Sequence, residues 1–119
     1  MMSRIDHCLD KDIAQLAMSL VAYSLNLSLQ DVLHTRRGSA EVAYGRQIAM
    51  YIVYIGCGLS MSRVAAAFKR DRSTVCHACH RIEDDRDDCD MDEWLDALQL
   101  ALSKAACLSA KYHSVIQEK

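Results

Sequence analysis

The chain contains no proline and only four glycines in 119 residues. With so few residues that end or bend a helix, and with abundant Ala, Leu, Met, Arg and Gln, little in the local sequence opposes helix. Period-two alternation of apolar and polar residues, the mark of a half-buried strand, persists nowhere, and no segment repeats. Long apolar runs are missing too. The best candidate, Ile48 to Leu59, is shorter than the roughly 20 residues that span a bilayer and carries Gly56 and Gly58. Asp6, Asp10, Lys11 and Asp12 interrupt the opening residues, which argues against a signal peptide. A soluble cytoplasmic protein is the expectation, with no membrane partner. The phosphate loop GxxxxGK[ST] is absent, and the chain is too short for an ATPase module. Cysteine is not scarce, at six, but these residues sit within helical patterns, so reduced thiols are expected.

What remains is an all-α pattern over one domain, 1–119, with 51% apolar residues to build its core. Asp10 to Asn26 sets Ile13, Leu16, Ala17, Leu20, Val21 and Leu27 at helical spacing, with an aspartate near the start. Ser28 to Leu33 reads as a short helix capped by Ser28, with Asp31 three positions on. Thr35 to Ser39 is a polar, basic loop broken by Gly38. A helix follows from Ala40 to Ile55, with Gly56 and Gly58 predicted to end it. Ser60 or Ser62 then caps a helix carrying Val64, Ala65, Ala67 and Phe68. Met91 to Ile116 closes the chain with an apolar stripe through Trp94, Leu95, Leu98, Leu102, Leu108, Tyr112 and Val115.

Charge is unevenly spread. The formal total is −2, yet Ser28 to Arg81 holds eight basic side chains against three acidic ones: Arg36, Arg37, Arg46, Arg63, Lys69, Arg70, Arg72 and Arg81 against Asp31, Glu41 and Asp71. From Ile82 onward ten acids face four bases. A basic middle beside an acidic tail suits a polyanion partner.

The segment Lys69 to Glu83 says which one. Val75, Cys79 and Ile82 mark a packed helix face, and basic and hydroxyl side chains crowd the opening turn. Behind a short helix and a tight turn, this is the second helix of a helix-turn-helix, whose leading residues enter the major groove of double-stranded DNA. Asp71 can cap the helix or accept from a cytosine amine, Arg72 can fork onto guanine, and Thr74 can meet a thymine methyl, a base or a phosphate. His77 and Arg81 extend along the same face toward the backbone, and Lys69 and Arg70 lie in the turn where phosphates pass.

Residues from about Ile13 to Glu83 resemble the C-terminal DNA-binding domain of the bacterial replication initiator DnaA, a helix-turn-helix of the Trp-repressor type. Asp71-Arg72-Ser73-Thr74-Val75, His77-Ala78-Cys79 and Arg81-Ile82-Glu83 carry its signature. Asp31-Val32-Leu33 with Arg36-Arg37, and Arg46-Gln47-Ile48-Ala49-Met50, match its upstream segments in order. The resemblance implies a DNA-binding core over 10–83; the acidic junction and C-terminal helix over 84–119 are an addition to the family domain. It also implies Arg36 or Arg37 in the minor groove, and Arg46, Gln47 and the helix start near Ser60 and Ser62 on phosphate. It implies Asp71, Ser73 and Thr74 at bases, with His77 and Arg81 on the backbone. Arg72 stands where the family has histidine, the turn before Asp71 is one residue shorter, and Ser39-Ala40-Glu41 and Tyr44-Gly45 replace arginine or proline.

Cys76, Cys79, His80 and Cys89 invite a zinc site, but a second ligand pair at suitable spacing is missing, so no metal and no cofactor are expected. Cys76 and His77 point apart on a helix, which gives no nucleophile and base for catalysis, and an enzyme is not expected. The run Glu83 to Asp88 reads as a solvated face or a break between helices. The closing helix is expected either to pack on the first helix or to form a homodimer through 91–116. The function that follows is a sequence-preferring, nucleoid-associated regulator of transcription. The alternatives are a replication modulator that competes for initiator boxes and an interaction module with weakened DNA binding.

Overall fold

The computed structural model describes residues 4–33 and 39–117, and every regular element among them is a helix. In chain order these are α1 (Arg4–Ser24), α2 (Leu29–Leu33), α3 (Ala40–Cys57), α4 (Met61–Phe68), α5 (Arg72–Asp85) and α6 (Cys89–Gln117). The all-α helix-turn-helix expectation holds. The basic loop with Arg36, Arg37 and Gly38 lies outside the described residues.

α3 is the axis of the molecule, packed against all five other helices. Its residues Ile48 to Val53 are all buried, so it is apolar on every side over more than a turn, as a central helix must be. Ser39 opens it by accepting a hydrogen bond from the Val42 amide at 3.4 Å, and Gly58 closes it in the left-handed region at φ 68°. Gly56 does not end α3, contrary to expectation, but lies within it at the crossing with α6. A Cβ there would stand 3.5 Å from the Gln99 carbonyl oxygen, and the Ser103 hydroxyl donates to the Gly56 carbonyl at 2.9 Å.

α1 starts earlier than its apolar pattern suggested, so Asp10 is an interior residue rather than a cap. The side chains that α1 buries fully are small ones, Ala14, Ala17 and Val21, while Ile13, Leu16 and Leu20 are half-buried around them. Small residues on the contact face let α1 lie close to α3 and α4. Asp10 is 3% exposed and meets Arg63 of α4 in a two-pronged ion pair, Nη2 to Oδ1 at 2.6 Å and Nε to Oδ2 at 2.9 Å. Arg63 therefore leaves the basic patch to which its position in the sequence assigned it.

α6 rests mainly on α3 and also on α1 through Leu95, Leu98 and Leu102, with Met91 and Trp94 half-buried beside them. Beyond these the stripe runs out of core, and Leu108 and Val115 are 64% and 56% exposed. Asp88 caps α6, its Oδ1 accepting from the amides of Asp90 and Met91. The acidic junction is a helix break, as one expectation had it, but it is not simply solvated. Arg86 is folded inward, donating to the Tyr51 hydroxyl at 2.8 Å, to Asp92 at 2.6 Å, to Asp96 at 2.9 Å and to Gln99. The Tyr51 hydroxyl in turn donates to Glu83 at 2.5 Å. One arginine thus ties the end of α5 to α3 and to the first turns of α6.

Candidate nucleic-acid interface

α4 and α5 are joined by Lys69, Arg70 and Asp71 alone. The turn is tight because Lys69 takes a left-handed conformation, φ 56° and ψ 46°, in which its amide and the next bond back to Ala66 and Ala65. That geometry satisfies the last carbonyls of α4, and for a residue with a Cβ it costs about 1–2 kcal/mol. α4 opens on Ser60, whose hydroxyl accepts from the Arg63 amide at 3.2 Å, so Ser60 rather than Ser62 is the cap. Ser62 is exposed in the first turn.

α5 has two distinct faces. Val75, Ala78, Cys79 and Ile82 are buried against α3 and α4. The other side exposes Arg72, Ser73, His77, His80 and Arg81, with Thr74 half-buried at the edge. Asp71 caps the helix with extended backbone, but its carboxylate makes no capping bond, unlike the hydroxyls of Ser39 and Ser60. At the positive end of the helix dipole that carboxylate remains available to a donor from outside.

α3 supplies the ground beside this face. Arg81 donates to Gln47 at 3.0 Å, and its guanidinium lies 4.5 Å over the ring of Tyr44. The Tyr44 hydroxyl donates to Asp85 at 2.5 Å. Burial, then the Asp85 carboxylate, pushes the Tyr44 hydroxyl above its ordinary pKa, so it stays a donor. Tyr44 was missed as a site residue. The signal was present: Arg81 and Asp85 are four apart on one helix and so reach one partner together. Arg46 lies close enough to Arg70 that burial and then the Arg70 charge lower its pKa, and it also donates to the Asp31 carbonyl at 3.3 Å. The Arg70 charge thus acts on Arg46, and the two add to one positive field beside the start of α5.

Of the residues singled out by sequence, Arg46, Gln47, Lys69, Arg70, Asp71, Arg72, Ser73, Thr74, His77 and Arg81 belong to α5, its preceding turn and the adjoining part of α3. Ser60 and Ser62 lie at the far end of α4, and Arg36 and Arg37 fall outside the described residues.

The cysteines near this face are divided by burial. Cys79 is 6% exposed, and burial, with Cys76 and Glu83 adding to it, pushes its thiol from the ordinary 9.0 up to about 11. His80 and Cys89 are exposed. No group of three His, Cys, Asp or Glu among the described residues is placed to hold a metal ion. In the native protein at pH 8, Cys79 should react with a thiol reagent on the order of a hundredfold more slowly than exposed Cys89 and Cys107. Mass-spectrometric timing of alkylation checks this, and comparable rates would mean that α5 lifts off the core. The thiolate forms more readily in the unfolded chain, so this thiol's contribution to stability is intact below pH 9 and declines as pH rises toward 11.

Residues 14–82 match the model of a family described as the bacterial dnaA protein helix-turn-helix. Over 67 residues the chain is 40% identical to the chromosomal replication initiator protein DnaA of Symbiobacterium thermophilum, a match covering 56% of this chain and 14% of that protein. It is 35% identical over 81 residues to the protein of the same name from Lactococcus lactis subsp. cremoris, covering 66% of this chain and 18% of the other. A crystal structure described as a DNA replication initiation factor superposes on 83% of the chain with a TM-score of 0.72 and 26% identity. A structure described as replication initiator DnaA bound to AMPPCP and single-stranded DNA covers 82% with a TM-score of 0.70 and 25% identity. In both, the matched part is 30% of the solved chain, so this chain spans a minor fraction of its relatives.

Proposed function

The chain belongs to the bacterial DnaA helix-turn-helix family, and from that premise we propose that it is a sequence-preferring double-stranded DNA-binding protein that regulates transcription at the nucleoid. In this reading 10–83 is the DNA-binding core, and 84–119 braces it. α5 enters the major groove with Asp71, Arg72, Ser73 and Thr74 at base edges. Arg46, Gln47, Lys69, Arg70, His77 and Arg81 grip the sugar-phosphate backbone, with Ser60 and Ser62 at a further phosphate. Arg36 or Arg37 reaches the minor groove. The observation that carries this reading is the two-faced α5, its Val75–Ile82 side buried and its Arg72–Arg81 side open beside Arg46 and Arg70.

A negative total charge does not oppose this, because several acidic side chains are spent on internal partners. Asp10 holds Arg63, Asp85 holds Tyr44, and Asp92 and Asp96 hold Arg86. Titration of a duplex against salt tests the reading. The logarithm of the binding constant should fall against the logarithm of salt with a slope of about −3 to −6, as expected for four to six neutralised phosphates. A slope near zero would instead favour an interaction module that keeps the fold without gripping DNA.

A second reading, favoured by relatives that are named as replication initiators, is competition for initiator boxes. Genome-wide recovery of bound fragments separates the two, through enrichment at promoters or at the replication origin.

A further inference from the structure

On α6, Glu93, Ala97, Leu100, Lys104, Cys107 and Lys111 are all exposed. They recur at steps of four, three, four, three and four, the spacing of a coiled-coil seam. This stripe is offset from the one that enters the core through Leu95, Leu98 and Leu102, so it is left over once the fold is complete.

The leftover stripe matches itself when reversed. Turned end for end about the level of Leu102, Glu93 meets Lys111, Ala97 meets Cys107, and Leu100 meets the aliphatic stem of Lys104. A parallel arrangement would instead set Glu93 against Glu93 and Lys111 against Lys111. The charge of α6 follows the same rule, with Asp90, Asp92, Glu93 and Asp96 in its first turns and only Lys104 and Lys111 charged after that. Beside the seam an open groove runs between the end of α3 and α6, lined by Ile55, Gly56, Asp96, Leu100 and Ser103. Ile55 and Leu100 stand 44% and 56% exposed on its walls. Leu108, itself 64% exposed, flanks the seam on the side away from that groove.

We propose that α6 is a self-association surface whose occupant is a second copy of this chain. The two α6 helices run antiparallel across a two-fold axis at the level of Leu102. Leu100 of each copy packs on the Lys104 stem of the other, and Glu93–Lys111 pairs close both ends. Such a contact is isologous and stops at two copies. It uses no residue assigned to DNA and does not rest on that assignment.

Sedimentation equilibrium of the full chain across the micromolar range tests it. A monomer–dimer equilibrium is expected, and Glu93→Lys alone or Lys111→Glu alone should weaken it at least about tenfold. Combining Glu93→Lys with Lys111→Glu should restore it, because the pair is reversed rather than lost. In an Ala97→Cys variant, mild oxidation should give a disulfide between position 97 of one copy and Cys107 of the other. Within one chain these positions are about 15 Å apart along the helix and cannot bridge. A wild-type chain that stays monomeric, a double variant no stronger than the singles, or the absence of a 97–107 bridge would each overturn the proposal. A monomeric Glu93→Lys protein that still binds DNA with wild-type salt dependence would leave the assignment of α5 untouched.

Discussion

Replacing Arg63 with leucine is expected to lower the free energy of unfolding by about 3–5 kcal/mol, the usual cost of stranding one member of a buried ion pair. The cause is not the lost attraction but the carboxylate left behind. The Asp10 side chain is 5% exposed and would be left buried without its partner. The reverse change should be milder. Asp10→Leu leaves a guanidinium whose side chain is 35% exposed, which can turn into solvent, so about 1–3 kcal/mol is expected. The double replacement should recover most of the loss, because two leucines suit the site better than one charge. Urea denaturation of the three variants measures this order. Equal costs for the single changes would show that both charges reach water in the native state. For a domain whose whole stability is of order 5–15 kcal/mol, the Arg63 change alone removes a large share of it. Arg63 also stands in the first helix of the helix-turn-helix, so the pair is what fixes α4, and with it the start of α5, to α1.

Arg72→Ala should cost about 1–3 kcal/mol of affinity, roughly fivefold to 150-fold, on the preferred duplex. On an unrelated duplex it should cost little. Arg72 is exposed at the first turn of α5, so its removal leaves the core undisturbed and takes away only the base contact proposed for it. Arg81→Ala should behave differently. Arg81 lies about two and a half turns further along α5, stacked on Tyr44 and bonded to Gln47, and is proposed to meet a phosphate. Its loss should weaken both duplexes alike and reduce the magnitude of the salt slope by about 1. Competition binding at fixed salt, with both duplexes in the tube, separates the two behaviours. Equal losses on both duplexes for Arg72→Ala would remove the leading edge of α5 from base reading.

The order of the helices was legible because it rests on local chemistry. Ser39, Ser60 and Asp71 stand at helix starts and Gly58 at a helix end, and these signals need no knowledge of the fold. The two faces of α5 were legible for a similar reason, since Val75, Cys79 and Ile82 mark the inner side by spacing alone. What stayed hidden depends on partners far away in sequence. Arg63 looks like one more base in a basic stretch until Asp10, 53 residues earlier, is seen beside it. Gly56 looks like a terminator until the backbone of Gln99 is found against it. The same holds for Arg86, which reads as a lone cation in an acidic run and proves to be an internal tie. The apolar stripe of α6 was read as continuous, but no spacing rule says where its cover ends.

The tyrosines of α3 have a mechanical consequence for α5. Tyr44 holds Asp85, and Tyr51 holds Glu83 and Arg86, all at the trailing end of the helix, whereas Asp71 at the leading end is bonded to nothing through its side chain. Val75 and Ala78, wholly enclosed, pin the leading half by packing instead, with α4 behind it. The heading of α5 is therefore set before any surface is met, and only the side chains of its outer face are left to adjust.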